Sequence, residues 1–266
     1  MRVPLFSCLL GAALCFAAPV AAQEEIPVEA APTLLVYSAT AGWRHDSIDE
    51  AWAALAAIAQ ERGWSVVFTE DPAWFDPERI AQFDSVVWAL ATGDTLSATQ
   101  KAAFRSFVED GGGFVGLHSA GDASHTWDWY AGELIGATFI GHPLDPGVRS
   151  GSVDVEVNGH PATAHLPRRW HVVDEWYSFD RSVRGEFRVL ATLDEETYVP
   201  GRWNDGVALD MGDDHPIVWD RCVGEGRAFY SALGHTAESY ADPQMRALIA
   251  GGIGWSLGEG DCPQAR

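Results

Sequence analysis

A histidine occupies the tip of a turn that in many enzymes carries a nucleophile. Residues 111–122 read GGGFVGLHSAGD, an apolar run with flanking glycines that ends in His118 and Ser119. This pattern predicts a buried strand followed by a tight elbow, which in other enzymes lifts a catalytic Ser or Cys above a sheet. His118 stands two residues after Gly116, where that nucleophile would be. An imidazole suits proton transfer or metal binding near neutral pH, so we predict one of these roles for His118.

Two further histidines follow predicted strands elsewhere in the chain. His45 lies in ATAGWRHD after the first apolar run, and His235 follows Gly234 after a late one. Ligands of open parallel sheets bind beyond the carboxyl ends of the strands. We therefore expect His45, His118 and His235 at one rim of a single sheet, with His118 and His235 as the catalytic pair.

Glu175 is the candidate for a third acid/base group. It lies in the sequence Asp174-Glu175-Trp176-Tyr177, where the flanking aromatic rings would remove water from its carboxyl group. Burial disfavours the charged form of a carboxyl group. We therefore expect the pKa of Glu175 to be raised toward the range that is useful for proton transfer.

Several other side chains suit substrate binding. A tryptophan ring such as that of Trp43 or Trp176 offers a flat apolar face to a sugar. Ser119 could act as a nucleophile with His235 as its base, but a helix cap or a contact with a substrate hydroxyl is the preferred interpretation. The predicted substrate-binding residues are Trp43, Arg44, His45, Ser119, His142, Trp176 and Tyr177.

A bound metal ion is the alternative to acid/base chemistry by the side chains alone. Histidine and glutamate are ligand types that Zn²⁺ and similar divalent ions accept. No compact motif such as His-Glu-x-x-His is present, so this hypothesis depends on convergence in the fold. No other cofactor is predicted. The candidate ligands are His45, His118, His142, Glu175 and His235.

Apolar runs of strand length alternate with helical patterns in the first half of the chain. Strands that are apolar throughout imply a parallel sheet with both faces covered, which predicts a doubly wound, flavodoxin-like α/β fold. The predicted strands are Thr33 to Ser38, Trp64 to Glu70, Ser85 to Leu90 and Gly113 to Leu117. The main predicted helices between them are Ser47 to Arg62 and Ser97 to Asp110, the second with a Ser97–Gln100 capping box.

The second half of the chain is less regular, which indicates an elaboration of the basic sheet. Its first predicted strand alternates polar and apolar residues, as an edge or antiparallel strand does. The predicted strands are Ser152 to Val157, Phe187 to Leu193, Ile217 to Arg221 and Arg227 to Ser231. A closing helix is predicted over Asp242 to Leu257, with Asp242 as its cap.

The termini and the composition predict an exported protein with one principal domain. Residues 1–22 resemble a secretory signal peptide, with Arg2 before an apolar run and small residues at its exit. Residues 23–32 read as a disordered leader, 33–258 as the folded domain and 259–266 as a tail. The formal net charge of −21 disfavours nucleic acid and anionic membrane as partners. We expect a periplasmic or extracellular location.

Two cysteines remain after removal of the predicted signal peptide. An oxidising compartment permits a disulfide between Cys222 and Cys262, but the sequence does not show whether these residues meet. The sequence equally leaves open whether the protein forms a homo-oligomer.

Together, six motifs resemble the ThuA-like (trehalose utilisation) family of the class I glutamine amidotransferase-like superfamily. The resemblance runs from about Thr33 to Leu257. The motifs are GWRHDSI (42–48), GGGFVGLHSAGD (111–122), LIGATFIGHP (134–143), DEWY (174–177), HPIVW (215–219) and GEGRAFYSALGH (224–235).

The resemblance implies carbohydrate metabolism rather than glutamine hydrolysis. The amidotransferase cysteine aligns with His118, and histidine cannot replace a thiolate nucleophile. The family resemblance implies a disaccharide or a 3-keto glycoside as substrate. The first hypothesis is acid/base chemistry on such a sugar by His118, His235 and Glu175. The alternatives are a carbohydrate-binding protein without catalysis and a metal-dependent hydrolase or lyase that uses the same histidines.

Overall fold

Apolar runs near the start of the chain form the parallel part of a nine-stranded sheet. The computed structural model describes residues 30–123 and 126–263, so the predicted signal peptide, residues 1–22, lies outside the described residues. From Ala31 onward the chain forms one compact unit. The strands in the described part are β1 (Thr33–Tyr37), β2 (Ser65–Thr69), β3 (Ser85–Ala89), β4 (Gly113–Leu117), β5 (Phe139–Gly141), β6 (Val148–Val155), β7 (Arg169–Glu175), β8 (Ser178–Phe179), β9 (Arg188–Asp194), β10 (Pro216–Val223) and β11 (Gly226–Ser231).

The sheet order combines a doubly wound part with an antiparallel extension. Nine strands pair in the order β2-β1-β3-β4-β11-β10-β9-β6-β7, and β5 pairs with β8 separately. The pairs from β2 to β11 are parallel, and those from β11 to β7 are antiparallel. With β11 as the fifth strand, the parallel part has the flavodoxin-like order 2-1-3-4-5. The predicted α/β fold with an elaborated second half is confirmed.

The helices begin at capping residues that the sequence indicates. Ser97 and Gln100 form the predicted capping box of α3, and Asp242 accepts hydrogen bonds from the first turn of α5. Ser47 occupies the cap position of α1, but its hydroxyl makes no capping bond. The helices are α1 (Ile48–Arg62), α2 (Pro77–Ile80), α3 (Ala98–Glu109), α4 (Ala237–Ala241) and α5 (Pro243–Ser256). A π-helical segment covers Tyr130–Ile135, and 3-10 turns cover Pro72–Phe75, His118–Asp122 and Glu195–Thr197.

Helices cover both faces of the parallel strands. The ring of Phe104 in α3 lies 5.8 Å from that of Phe114 in β4. Gly252 in α5 lies directly against the ring of Phe229 in β11. Phe114 pairs with Ala228, and side chains of successive residues point to opposite faces of a sheet, so Phe229 faces away from α3. The helices α3 and α5 therefore enclose the sheet from its two sides.

The edge strand β7 of the large sheet, like the short strands β5 and β8, is not predicted by the sequence pattern. Its sequence RWHVVDE mixes polar and apolar residues because β7 pairs only with β6 and leaves part of its surface in water. Val173 is 60% exposed, whereas Asp174 and Glu175 at the end of the strand are buried. At the end of β7, an apolar side chain is therefore exposed and two polar side chains are buried. This is the reverse of the pattern that marks a half-buried strand.

Two buried tyrosines hold the elbow after β4. His118 has a φ of 50°, in the left-handed region that a residue at such an elbow adopts. The hydroxyl of Tyr230 donates a hydrogen bond to the His118 carbonyl at 2.7 Å, and that of Tyr130 donates to the Ala120 carbonyl at 2.8 Å. Gly121 is required here because a Cβ atom would lie 2.2 Å from the Tyr230 hydroxyl. The predicted strand and elbow are thus present, with His118 at the tip.

A disulfide joins Cys222 in β10 to Cys262 near the end of the chain, with 5.9 Å between their Cα atoms. This bridge answers the question that the sequence left open. It attaches residues beyond α5 to the antiparallel part of the sheet.

Among the helices of the described residues, none is both long enough and apolar enough to span a membrane.

Replacing Tyr230 by Phe should destabilise the protein through the elbow. The Tyr230→Phe change leaves the buried His118 carbonyl without this donor, which should lower the free energy of unfolding by about 1–3 kcal/mol. Tyr240→Phe is the matched control, because the Tyr240 hydroxyl is buried without a hydrogen-bond partner among the described residues. Urea denaturation would measure both variants. An equal loss of stability in the two would contradict this account of the elbow.

Candidate active site

Four side chains from different strand ends meet at the carboxyl edge of the parallel strands. His45 lies in the loop after β1, His118 directly follows β4, and His235 lies in the loop after β11. Glu175 is the last residue of β7. Each of the four offers a ring nitrogen or carboxylate oxygen, and these atoms all lie within 4.8 Å of one another. The structure therefore brings together three histidines and a glutamate that are widely separated in the sequence.

Three of these atoms form a compact triangle. His118 Nε2 lies 3.2 Å from His235 Nδ1 and 3.4 Å from Glu175 Oε2. His235 Nδ1 lies 3.1 Å from the same Glu175 oxygen. His118 is fully buried and Glu175 is 6% exposed. We refer to His118, Glu175 and His235 as the triangle residues.

A main-chain carbonyl fixes the orientation of His118. Its Nδ1 lies 2.8 Å from the carbonyl oxygen of Ala232. Because a carbonyl only accepts, Nδ1 carries a hydrogen, and Nε2 is the ring nitrogen that faces the other triangle residues. The ring of Tyr177 packs against the imidazole at 4.3 Å between centroids.

The carboxylate of Asp174 positions two of the triangle residues. It accepts hydrogen bonds from the main-chain N–H groups of Glu175, Gly234 and His235, at 2.8 to 3.0 Å, and from the Ser239 hydroxyl at 3.1 Å. Four donors compensate for the burial of this charge. No separate role for Asp174 follows from the sequence, where its only signal is its position next to Glu175.

Ser47 also fixes the loop that carries His235. Instead of capping α1, the Ser47 hydroxyl donates a hydrogen bond to the His235 carbonyl at 2.6 Å. The Ser47 side chain therefore serves the His235 loop rather than the first turn of α1. The competing acceptor is a carbonyl that the sequence places 188 residues away.

His142 contacts Oε1 of Glu175, the carboxylate oxygen that does not take part in the triangle. Its Nδ1 lies 3.1 Å from Glu175 Oε1 and 3.0 Å from the Pro143 carbonyl, so this nitrogen carries a hydrogen and donates. The ring of Trp203 lies edge-on to His142 at 4.7 Å. Trp203 was missed by the sequence analysis, because GRWND in an irregular segment carries no recognisable motif.

The charge distribution in the site corrects the expected pKa of Glu175. Burial acts to raise this pKa, as the sequence predicts, but the contacts with His118 and His235 outweigh it and hold the pKa of Glu175 well below its usual value. Burial lowers the pKa of His45 to about 3, with further lowering by the nearby His118 and His235. For His235, burial lowers the pKa, but contact with Glu175 outweighs this and raises the pKa overall. Glu175 is therefore an anion among histidines rather than a neutral acid.

Some of the predicted substrate-binding residues lie beside the triangle residues, and others do not. Tyr177 packs on His118, and Ser119 is fully buried with a hydroxyl that has no partner among the described residues. Trp43 is 73% exposed in the loop that leads to His45. The structure does not place Arg44 or Trp176 at the cluster.

The surroundings of Arg44 and Trp176 explain their positions. Arg44 forms a two-point ion pair with Glu70 at 2.8 and 3.0 Å, and both side chains are exposed. Trp176 is 1% exposed, and its ring lies against Gly151 in β6. A buried indole offers no free face for a sugar ring.

The fold and this cluster define an α/β protein with a candidate ligand site at the carboxyl edge of its parallel strands. The model of the ThuA family, described as trehalose utilisation, matches residues 33–256. The chain therefore belongs to the ThuA family, as its motifs predict.

Solved structures show the same fold. A ThuA-like protein from Bacteroides uniformis is 23% identical, with a TM-score of 0.71 over 89% of this chain and 97% of that one. One from Parabacteroides merdae is 20% identical, with a TM-score of 0.66 over 88% and 94%. A cytoplasmic protein from Salmonella typhimurium LT2 is 9% identical, with a TM-score of 0.57 over 84% and 99%. No curated protein sequence matches the chain.

Replacing Asp174 by Asn should disturb both stability and the triangle residues. The amide group has only one oxygen acceptor and would direct its N–H groups at existing donors, so Asp174→Asn should lower the free energy of unfolding by about 2–3 kcal/mol. Asp154→Asn is the matched control, because Asp154 pairs with Arg169 at an exposed position and should contribute about 0–1 kcal/mol. Thermal and urea unfolding would compare the two. Similar losses in both variants would contradict the proposed importance of Asp174.

Proposed function

We propose that this protein is an enzyme of carbohydrate metabolism that acts on a disaccharide or a 3-keto glycoside. The observation that carries the proposal is the triangle of His118, Glu175 and His235, at the edge where parallel sheets bind ligands. The family description, trehalose utilisation, supports a sugar as the substrate class. Perturbed, buried ionisable groups of this kind are typical of catalytic sites.

The chemistry we propose begins with removal of a proton beside a sugar carbonyl. In a 3-keto glycoside, a base takes the proton from C2, and the C–H electron pair forms a double bond between C1 and C2. The bond from C1 to the glycosidic oxygen breaks, and an acid returns a proton to that oxygen. The products are an unsaturated 3-keto sugar and a free alcohol. Histidines are suited to both proton transfers near neutral pH.

Residues around the triangle supply candidate substrate contacts. The Ser119 hydroxyl and Nδ1 of His45 are buried and have no hydrogen-bond partner among the described residues, so a sugar hydroxyl that reached them would satisfy both. His142 and Trp203 together offer an aromatic wall beside Glu175. Trp43 presents an exposed ring in the loop before His45. In this proposal, Trp203 takes the stacking role that the sequence assigned to Trp176.

The proposed reaction is testable by deuterium loss and product analysis. We expect the protein to convert a 3-keto disaccharide that is deuterated at C2 into the free alcohol and an unsaturated 3-keto sugar that has lost the deuterium to the solvent. His235→Gln should reduce the rate by about 10²–10⁴-fold, the usual effect of losing an acid/base group. His165→Gln is the control, because His165 is exposed and bonds the Gln244 carbonyl. NMR and mass spectrometry would follow both. A variant rate equal to wild type would remove His235 from the mechanism.

A carbohydrate-binding protein without catalysis is the second candidate. The aromatic wall of His142 and Trp203 favours ligand binding whether or not a reaction follows. Stabilisation by native and 3-keto disaccharides, with neither product nor loss of deuterium from C2, would support this candidate over the enzyme.

We also propose that the protein is exported to the periplasm or the extracellular space. The Cys222–Cys262 disulfide supports this, because such bridges persist in oxidising compartments. The protein isolated from its producing cell should begin at Gln23 and contain no reactive thiol. Intact mass with and without reduction would test both points. An unprocessed chain with four free thiols would contradict export.

A further inference from the structure

We infer that His118, Glu175 and His235 bind a single divalent transition-metal ion. Zn²⁺ is the representative ion. The inference deepens the proposed function, since it concerns the same site, but it is tested without any sugar. Three features of the site support it, namely the spacing of the ligand atoms, the orientation of these atoms toward one another and the contacts behind each ligand.

The spacing of the triangle atoms matches that of ligands around a tetrahedral ion. Zn²⁺ bonds to histidine nitrogen and carboxylate oxygen are about 2.0–2.2 Å long. Two ligands of a regular tetrahedron at that radius are about 3.3–3.6 Å apart. The observed separations are 3.1, 3.2 and 3.4 Å. Little movement is therefore needed to place an ion at equal distance from the three atoms.

The three atoms that face one another are all atoms that metal ions accept as ligands. His118 uses Nδ1 on the Ala232 carbonyl, so Nε2 is the nitrogen that faces the triangle. Glu175 Oε2 lies 3.4 Å from it in buried surroundings. One metal ion would bind Nε2 of His118, Nδ1 of His235 and Oε2 of Glu175 at once, with both nitrogens deprotonated.

Each triangle residue also has the outer contact that metal ligands usually have. Ala232 holds His118 through Nδ1, the side of the ring that faces away from the triangle. His142 donates to Oε1 of Glu175 and leaves Oε2 for the ion. Asp174 fixes the main chain of His235. These contacts pre-orient the ligands before any ion binds.

The donor set selects the class of metal. Two imidazole nitrogens and one carboxylate oxygen suit Zn²⁺ and neighbouring first-row ions, whereas Mg²⁺ and Ca²⁺ prefer oxygen ligands throughout. Three protein ligands leave a fourth position open, as in catalytic zinc sites. His45 faces this region, with a buried Nδ1 that has no partner among the described residues. We assign His45 to contact whatever occupies the open position.

The inferred ion would change the roles of the site residues in the proposed reaction. When bound, it polarises a sugar carbonyl or hydroxyl oxygen as a Lewis acid. The triangle residues then hold the ion, and His45 and His142 remain as the nearby histidines for proton transfer. The reaction class stays the same under this assignment.

Metal binding by the full chain provides the test. The purified protein is stripped with a chelator, dialysed and titrated with Zn²⁺, with elemental analysis and calorimetry as the readouts. We expect one zinc ion per chain and a rise in melting temperature on binding. Co²⁺ in the same site should give the intense visible absorption of a four-coordinate ion. Mg²⁺ should produce neither effect.

Two ligand variants and one control make the site assignment falsifiable. Glu175→Gln keeps the side-chain shape, and His235→Gln alters a partly exposed residue, so both should fold. Each should bind Zn²⁺ more than about 100-fold more weakly, exceeding the loss that outer contacts cause. His165→Gln should bind as the wild type does. Unchanged affinity in both ligand variants, or less than stoichiometric zinc in the wild type, would overturn the inference.

The two proposals fail in different ways. Stoichiometric zinc without turnover of any tested sugar would refute the proposed enzyme and leave the metal site standing. Full turnover by chelator-stripped protein that binds no zinc would refute the metal site and leave acid/base catalysis by the side chains.

Discussion

The buried carboxylate of Asp174 is the interaction on which the candidate site depends. It receives hydrogen bonds from the main chain of Glu175 at the end of β7 and from that of Gly234 and His235 after β11. A carboxylate is stable in such a place only when donors surround it, and here four groups do so. One carboxylate thus connects the antiparallel part of the sheet to the parallel part. Two of the three triangle residues take their positions from it.

The two parts of the sheet contribute different chemical groups to the candidate site. The parallel strands supply His45, His118 and His235 through the loops at their carboxyl ends, as ligand sites in doubly wound folds commonly do. The antiparallel extension supplies Glu175, an anion. Four strand spacings separate β7 from β11, which would be about 19 Å in a flat sheet. Glu175 nevertheless lies 3.1 Å from His235, so the extension must curve back over the end of the parallel strands.

The sequence predicts the parallel part well because its strands are buried on both faces. Strands such as β4 carry continuous apolar runs, and the elbow at His118 follows from the glycines around it. The edge strand β7 is partly exposed and therefore shows no such signal. The lowered pKa of Glu175 was predicted with the wrong sign, because burial is visible in local sequence and long-range histidine contacts are not. For the same reason, the role of Asp174 emerges only from the fold.

The position of β7 also has a consequence for how the protein matures. β7 is the last strand in the sheet order, and β10, β9 and β6 lie between it and β11. The candidate site therefore depends on long-range contacts, one between residues 118 and 175 and another between 175 and 235. A partly folded chain with an intact parallel half would contain all three histidines and yet lack their anion. The candidate site is thus complete only when the antiparallel extension has also formed.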